Sequence, residues 1–354
     1  MRARLTIDLD AVAANWRALD AKTAVETAAV VKADGYGLGA ARVGPALAKA
    51  GAKTFFVALV EEGVVLREAL GPGPRIFVFG GLMPGDETMV RYADLIPLLN
   101  SRGQVEAARK MAAAHGELTP VGLQLDSGMN RLGMEADELA AALEDGLDGL
   151  SAQLVMSHLA CADEPAHPQN AAQRAAFDAI SAHPMLAGVP RSLGATGGVL
   201  LGPDFHYDLT RPGIGLYGGL PFADARPVIR VETPIIQIRD VAAGEAVGYG
   251  AAYVADRPRR IATVNTGYAD GFIRSASAGF TAWLGESPLP STGRVSMDLI
   301  TLDVTDCAEA REGAMVDLIG ARTKIDDLGD AAGTIGYEFL TSLGARYERV
   351  YIGG

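Results

Sequence analysis

The stretch 29–40, AVVKADGYGLGA, ends an apolar run on Lys32 and follows it at once with a glycine-rich turn. A lysine at the C-terminal end of a barrel strand stands where such folds place reactive groups. Apolar surroundings depress an amine's pKa and favour its attack on an aldehyde. Taken alone, such a residue is more often a solvated or salt-bridged strand end. Gly35, Gly37 and Gly39 miss both the GxGxxG spacing and the GK[ST] ending, so the turn is a poor nucleotide loop. In LDSGMNRLG (125–133), Arg131 is placed to grip a carboxylate or stiffen a neighbouring ring, or else to pair with Asp126 or Glu135 on the rim. In VMSHLACAD (155–163), His158 ends an apolar run and could orient a catalytic group. Cys161, Asp163 and His167 share that loop without ligand spacing, so no metal is expected. In DLTRPGIGLYGG (208–219), Arg211 precedes a tight turn. There the Gly213 and Ile214 N–H groups, with the Thr196 hydroxyl, suit a phosphate held by amides and hydroxyls. Ordinary loop glycines would look the same. Tyr268 in GYADG and Tyr337 in TIGYEF read on their own as packed rim aromatics.

Eight short apolar runs position these groups: 28–32, 54–59, 75–79, 95–99, 121–126, 154–158, 190–194 and 207–210. Ala-rich helical stretches at 40–50, 103–115, 135–145 and 171–183 lie between them. Eight strands alternating with helices is the count of a (β/α)8 TIM-like barrel, and an open doubly wound sheet ranks second. Beyond 221–227 the texture changes to β-branched runs at 231–238, 246–249, 260–265, 281–284, 294–304 and 314–319. A helix is expected over 337–343 and a strand over 347–351. The expected fold is therefore α/β, an N-terminal barrel (9–222) followed by a mostly-β domain (223–354). The strand-like segment 3–8 can join either.

Composition narrows the partners. Of 354 residues 49% are apolar and 21% charged, the balance of a folded globular chain. A net charge of −12 disfavours nucleic acid and anionic membrane as partners, while leaving room for a small anion in a local basic cluster. Cys161 and Cys307 are the only cysteines and lack disulfide or zinc spacing, which points to a reduced, cytoplasmic setting. Asp8 and Asp10 interrupt any signal-like core, and no uncharged apolar run reaches the length of a membrane span.

Taken in order, AVVKADGYGLGA, DSGMNRLG, RPGIGLYG, GYADG, GRVSMD and TIGYE make the chain resemble the alanine racemases from about residue 5 to 351. That family is a pyridoxal-phosphate-dependent group of barrel-plus-β-domain enzymes. The resemblance implies that Lys32 carries the cofactor and is one of two catalytic bases. Tyr268, donated by the other subunit of a homodimer with shared active sites, would be the second. It further implies phosphate contacts from Tyr36, Thr196, Gly213, Ile214 and Tyr337, and Arg211 facing the pyridine nitrogen. His158 would orient the tyrosine, Arg131 would contact the ring oxygen and the substrate carboxylate, and the Met297 amide would meet that carboxylate. Two bases flanking a planar carbon can remove a proton from one face and return one on the other. The implied role is interconversion of L- and D-alanine, which supplies D-alanine for cell-wall peptidoglycan.

Two positions depart from the family pattern. Gln124 stands where many members carry a lysine, often carbamylated, that helps hold the arginine seven residues on. Ala195-Thr196 replaces an Asn-Ser pair near the phosphate, keeping the hydroxyl and losing an amide. These leave a serine or broad-specificity racemase as the nearest alternative. A non-catalytic pyridoxal-phosphate carrier ranks lower, because it would lack the β-rich half and its tyrosine.

Overall fold

A computed structural model describes residues 2–277 and 279–354. The N-terminal half is a parallel ladder running through Ala29–Val30, Thr54–Val57, Arg75–Val78, Ile96–Leu99, Thr119–Gln124, Leu150–Met156 and Arg191–Ser192. Thr54–Val57 and Ile96–Leu99 are buried at every position, as expected of parallel strands covered on both faces. The eighth position, Leu209–Thr210, pairs in parallel with Glu26–Thr27. On its other side Asp208 N donates to Arg191 O at 3.0 Å and Arg211 N to Gly194 O at 2.8 Å, which closes the ring.

The first barrel strand is not the single run 28–32. It is split into Glu26–Thr27 and Ala29–Val30, because the chain changes partner there: Thr27 faces Thr210 and Ala29 faces Phe55. Lys32 consequently lies just past the strand, at the start of a turn. The helix Ala40–Ala50 forms as expected, and Arg102–His115, Ala136–Glu144 and Pro168–Ser181 fall within a few residues of their expected bounds. A first helix, Leu9–Asp20, is capped by Asp8, whose Oδ1 accepts from Ala11 N at 2.9 Å.

In the C-terminal half six strands close into an antiparallel barrel: Ile229–Val241, Arg259–Val264, Ile300–Asp303, Ser287–Thr292, Thr281–Leu284 and Met315–Ile319. Arg4–Asp8 and Glu348–Ile352 extend it from the edge of Ile229–Val241. Ser287–Thr292 was not expected, and its Pro288 and Pro290 have no N–H to give a ladder. Only Ser291 and Thr292 pair with Ile300–Asp303, so both prolines sit where one strand edge is free of ladder bonds. The expected run 294–304 narrows to Ile300–Asp303, which frees 294–299 as a loop carrying Met297. No helix among the described residues is long and apolar enough to cross a membrane.

Candidate active site

Lys32 opens a turn of unusual hand. Ala33, Asp34, Gly35 and Tyr36 have φ of 52°, 53°, 63° and 55°, one turn of left-handed helix. Cβ crowding makes this cost roughly 1–2 kcal/mol for each non-glycine residue, so the surroundings must hold it. Gly35 N donates to Val31 O at 2.9 Å and Gly37 N to Ala33 O at 2.7 Å. The Glu62 carboxylate accepts from Ala33 N at 2.7 Å. From the last strand, Arg349 Nη1 donates to Gly37 O at 2.8 Å and Tyr351 Oη to Leu38 O at 3.0 Å. The half-buried Lys32 amine lies 5.8 Å from the Phe79 ring centroid. Burial, and then the Arg131 cation, lower its pKa, against a smaller opposing pull from Glu62.

The turn delivers Tyr36 to the glycine loop after the eighth strand. Its ring stacks on Tyr217 with centroids 4.5 Å apart, and Tyr337 lies 6.2 Å away. A Cβ on Gly213 would stand 2.3 Å from Tyr36 Oη, so only glycine leaves the hydroxyl its place. Thr196 Oγ1 accepts from Gly213 N at 3.0 Å and Gly215 N at 3.3 Å, which leaves its own proton free to donate. Burial raises the pKa of Tyr36 and pushes that of Tyr337 up to about 12, so both remain hydroxyl donors near neutrality. Neutral donors converging on a glycine-lined cradle suit a phosphate, and they do so without requiring positive charge.

Arg211 forms the floor at 1% exposure. Its Nη2 donates to Ser157 O at 2.7 Å and Leu193 O at 3.3 Å, and its Nη1 to Ser192 Oγ. Burial lowers its pKa to about 9, which leaves it a cation at neutral pH. Beside it His158 is pushed down to about 3, first by burial and then by Arg211, Arg131 and Lys32, so the imidazole is neutral. Arg131 is exposed and forms no ion pair with Asp126 or Glu135 among the described residues. Asp126 Oδ1 instead accepts from Gly128 N at 2.7 Å and Met129 N at 2.9 Å, shaping the loop that presents the arginine.

Tyr268 and Met297 form a second group. Tyr268 N donates to Ser296 O at 3.0 Å and Ala269 N to Met297 O at 2.9 Å, so their turns are clasped together. Arg346 ties the pair from below, reaching Asp270 at 2.9 Å and Asp298 at 2.7 Å. Both side chains are open to solvent, Tyr268 at 40% and Met297 at 54%. Among the described residues no hydrogen bond or aromatic contact joins either to the barrel-mouth group.

The barrel mouth and the clasped turns fall within two consecutive family matches. The pattern described as alanine racemase, N-terminal domain, matches residues 7–221, and that described as alanine racemase, C-terminal domain, matches 228–351. The chain belongs to the alanine racemase family. An alanine racemase of Jannaschia sp. (strain CCS1) is 57% identical over 98% of this chain and 97% of its own length. The alanine racemase of Bartonella henselae, solved with covalently bound pyridoxal phosphate, superposes with a TM-score of 0.94 at 37% identity, covering 99% of this chain and 100% of its own. The biosynthetic alanine racemase of Pseudomonas aeruginosa gives 0.91 at 38%, covering 99% of each chain.

Within the alanine racemase family the two departures have local explanations. Gln124 Nε2 donates to Leu132 O at 3.2 Å, so the amide steadies the backbone beside Arg131. Its Oε1 is buried without a partner. Ala195 makes a parallel bridge to Arg211, a contact that needs backbone alone. Sequence reasoning missed Glu62, Ser157, Ser192 and Arg346. Glu62 had one legible signal, an acidic residue in the first turn of the helix Val60–Leu70.

Proposed function

We propose that the chain interconverts L- and D-alanine with pyridoxal phosphate, using Lys32 and Tyr268 as bases on opposite faces of the substrate carbon. The carrying observation is the barrel mouth: a depressed amine at Lys32, a buried cation at Arg211 and a glycine-lined cradle of neutral donors at Tyr36, Thr196 and Tyr337. Bound pyridoxal phosphate delocalises the electron pair left when the α-proton departs, and so acidifies that carbon.

The residues divide the remaining work. Lys32 would hold the cofactor through its aldehyde, and its amine, when free, would take or return a proton on its face of the substrate carbon. Its lowered pKa keeps that amine closer to the neutral form a base requires. Tyr268 serves the other face, from a second copy of the chain, and its exposed hydroxyl suits such a role. The neutral His158 is an acceptor available to orient it. Arg211 keeps its own proton and has none to spare for the ring nitrogen, which holds back side reactions such as transamination. Arg131 and the Met297 amide bind the substrate carboxylate, while Ile214 offers its N–H to the phosphate; the expected Gly213 N–H is instead spent on Thr196 Oγ1, which frees the Thr196 hydroxyl proton for that role. We assign the barrel unit to 9–222 and the β-rich unit to 223–354 with 1–8. The working form is a cytoplasmic homodimer with shared sites. In a bacterium this activity supplies D-alanine to peptidoglycan.

Loss of optical rotation from L-alanine, measured beside serine and a panel of small amino acids, tests the reaction. Turnover of serine with alanine ignored would overturn it. Borohydride reduction followed by peptide mapping should place the adduct on Lys32.

A further inference from the structure

Glu62 sits half-buried at the start of the helix Val60–Leu70, where one carboxylate oxygen suffices to cap the helix. Here Oε2 accepts from Ala58 N at 2.8 Å, and Leu59 N lies at 3.4 Å. The other oxygen, Oε1, leaves the helix and reaches Ala33 N at 2.7 Å. Ala33 is the first residue of the left-handed turn and the immediate neighbour of Lys32. One carboxylate therefore joins the segments that follow the first and second barrel strands. No lysine or arginine forms a salt bridge with Glu62 among the described residues.

We infer that Glu62 is a positioning residue for Lys32, fixing the backbone on which the amine and the Tyr36 hydroxyl are held apart. The turn runs from Lys32 to Tyr36, one end for the aldehyde and the other for the phosphate. Its hand is unfavourable to Ala33, Asp34 and Tyr36, so it depends on anchors from outside. Arg349 and Tyr351 anchor its far end, and Glu62 anchors the end next to the amine. Among the described residues Glu62 is also the one anion acting on Lys32, against Arg131 and the neutral His158. Removing the carboxylate charge thus has a direction: the Lys32 amine becomes free at lower pH.

The inference rests on Lys32 as the cofactor-bearing amine. Its test uses holoenzyme and two readouts. The first is the pH profile of kcat with D-alanine, whose α-proton we assign to Lys32 (and that of L-alanine to Tyr268), since kcat reports groups that ionise with substrate bound. The second is the rate at which hydroxylamine strips the cofactor, followed by absorbance without turnover. In Glu62→Gln the acid limb should move down by about half a pH unit or more. Stripping should speed at least about fivefold, because the amide has one acceptor oxygen and would turn an NH2 donor toward the other of the two N–H groups. Glu61→Gln, one residue away and exposed, should change neither readout. Glu62→Asp keeps the charge but is too short to span both donors, so it should hold the midpoint and still strip faster. If Glu62→Gln does not fold, Glu62→Asp decides, and a parental stripping rate there overturns the proposal. Parental behaviour of Glu62→Gln, or an equal shift in Glu61→Gln, also overturns it. Should mapping place the cofactor on another lysine, the reading of Lys32 itself fails; with Lys32 mapped, an unmoved Glu62→Gln sinks this inference alone.

Discussion

At the barrel mouth the polar groups, the exposed Arg131 apart, are wholly or partly buried and set one another's charge; on the clasped turns of the β-rich half they stand in solvent. Arg211 is 1% exposed and holds three acceptors, whereas Tyr268 is 40% exposed and its hydroxyl has no partner among the described residues. The mouth is a finished cradle within one chain. The turns are finished only in their backbone, clasped by Ser296 O, Met297 O and Arg346, with their side chains still free. Preorganisation thus differs between the halves: packing fixes the polar groups of the mouth, whereas on the turns the fold fixes the backbone and leaves the Tyr268 and Met297 side chains in solvent.

The largest effect should come from the mouth. Lys32→Ala removes both the covalent anchor and one base, so racemisation should fall at least about 10³-fold, and borohydride should fix no cofactor to the chain. A retained adduct would remove Lys32 as the anchor. Tyr268→Phe strikes the exposed half and should be uneven. Proton removal from L-alanine should slow about 10²-fold or more and that from D-alanine far less, because each base serves one face. Equal slowing of isotope exchange for both enantiomers would count against two bases. Mixing the two inactive variants sharpens the contrast further. If sites are shared between copies, one intact site forms per mixed dimer, and about a quarter of parental activity returns. No recovery would mean that each chain supplies its own tyrosine.

A smaller effect is expected at Gly213. Its φ of −122° is not left-handed, and the cost argued for a side chain there is crowding against Tyr36. Gly213→Ala puts a methyl 2.3 Å from Tyr36 Oη and should cost about 1–3 kcal/mol of stability through overpacking, with weaker phosphate binding. Denaturant unfolding and cofactor titration measure the two separately. A variant that binds cofactor as tightly as the parent would mean that Tyr36 does not face the phosphate.

Much of this was legible in the chain itself. Strand order along the barrel followed from eight apolar runs, and Lys32, Arg131, His158 and Arg211 followed from their places at strand ends, where parallel sheets expose their C-terminal edges; Tyr36 and Tyr337 came only with the family resemblance. Three things were not. The break between Thr27 and Ala29 comes from a change of partner 183 residues away, which no local run encodes. The strand Ser287–Thr292 was hidden by Pro288 and Pro290, whose missing N–H groups are harmless only because that edge is unpaired. Glu62 and Arg346 act through backbone atoms and carboxylates far along the sequence. Neither belongs to a pattern of spacing, and both appear only once the loops are side by side.

The charge coupling inside the mouth yields the smallest prediction, one without a counterpart on the exposed turns. His158 has its folded-state pKa pushed down to about 3, below the ordinary value of 6.5. Between those values the unfolded chain binds a proton that the folded chain refuses, so stability rises with pH across this window and falls on acidification. Arg211, at about 9, stays protonated throughout and adds nothing there. From pH 7 to pH 5 the histidine should therefore withdraw about 1–2 kcal/mol per chain in urea unfolding of the cofactor-free protein. His158→Gln should flatten that part of the profile. Tyr268→Phe should leave it as in the parent, since that ring lies outside the cluster. An unchanged slope in His158→Gln would show that the imidazole is not the group held neutral, and that the mouth does not set its charges as a unit.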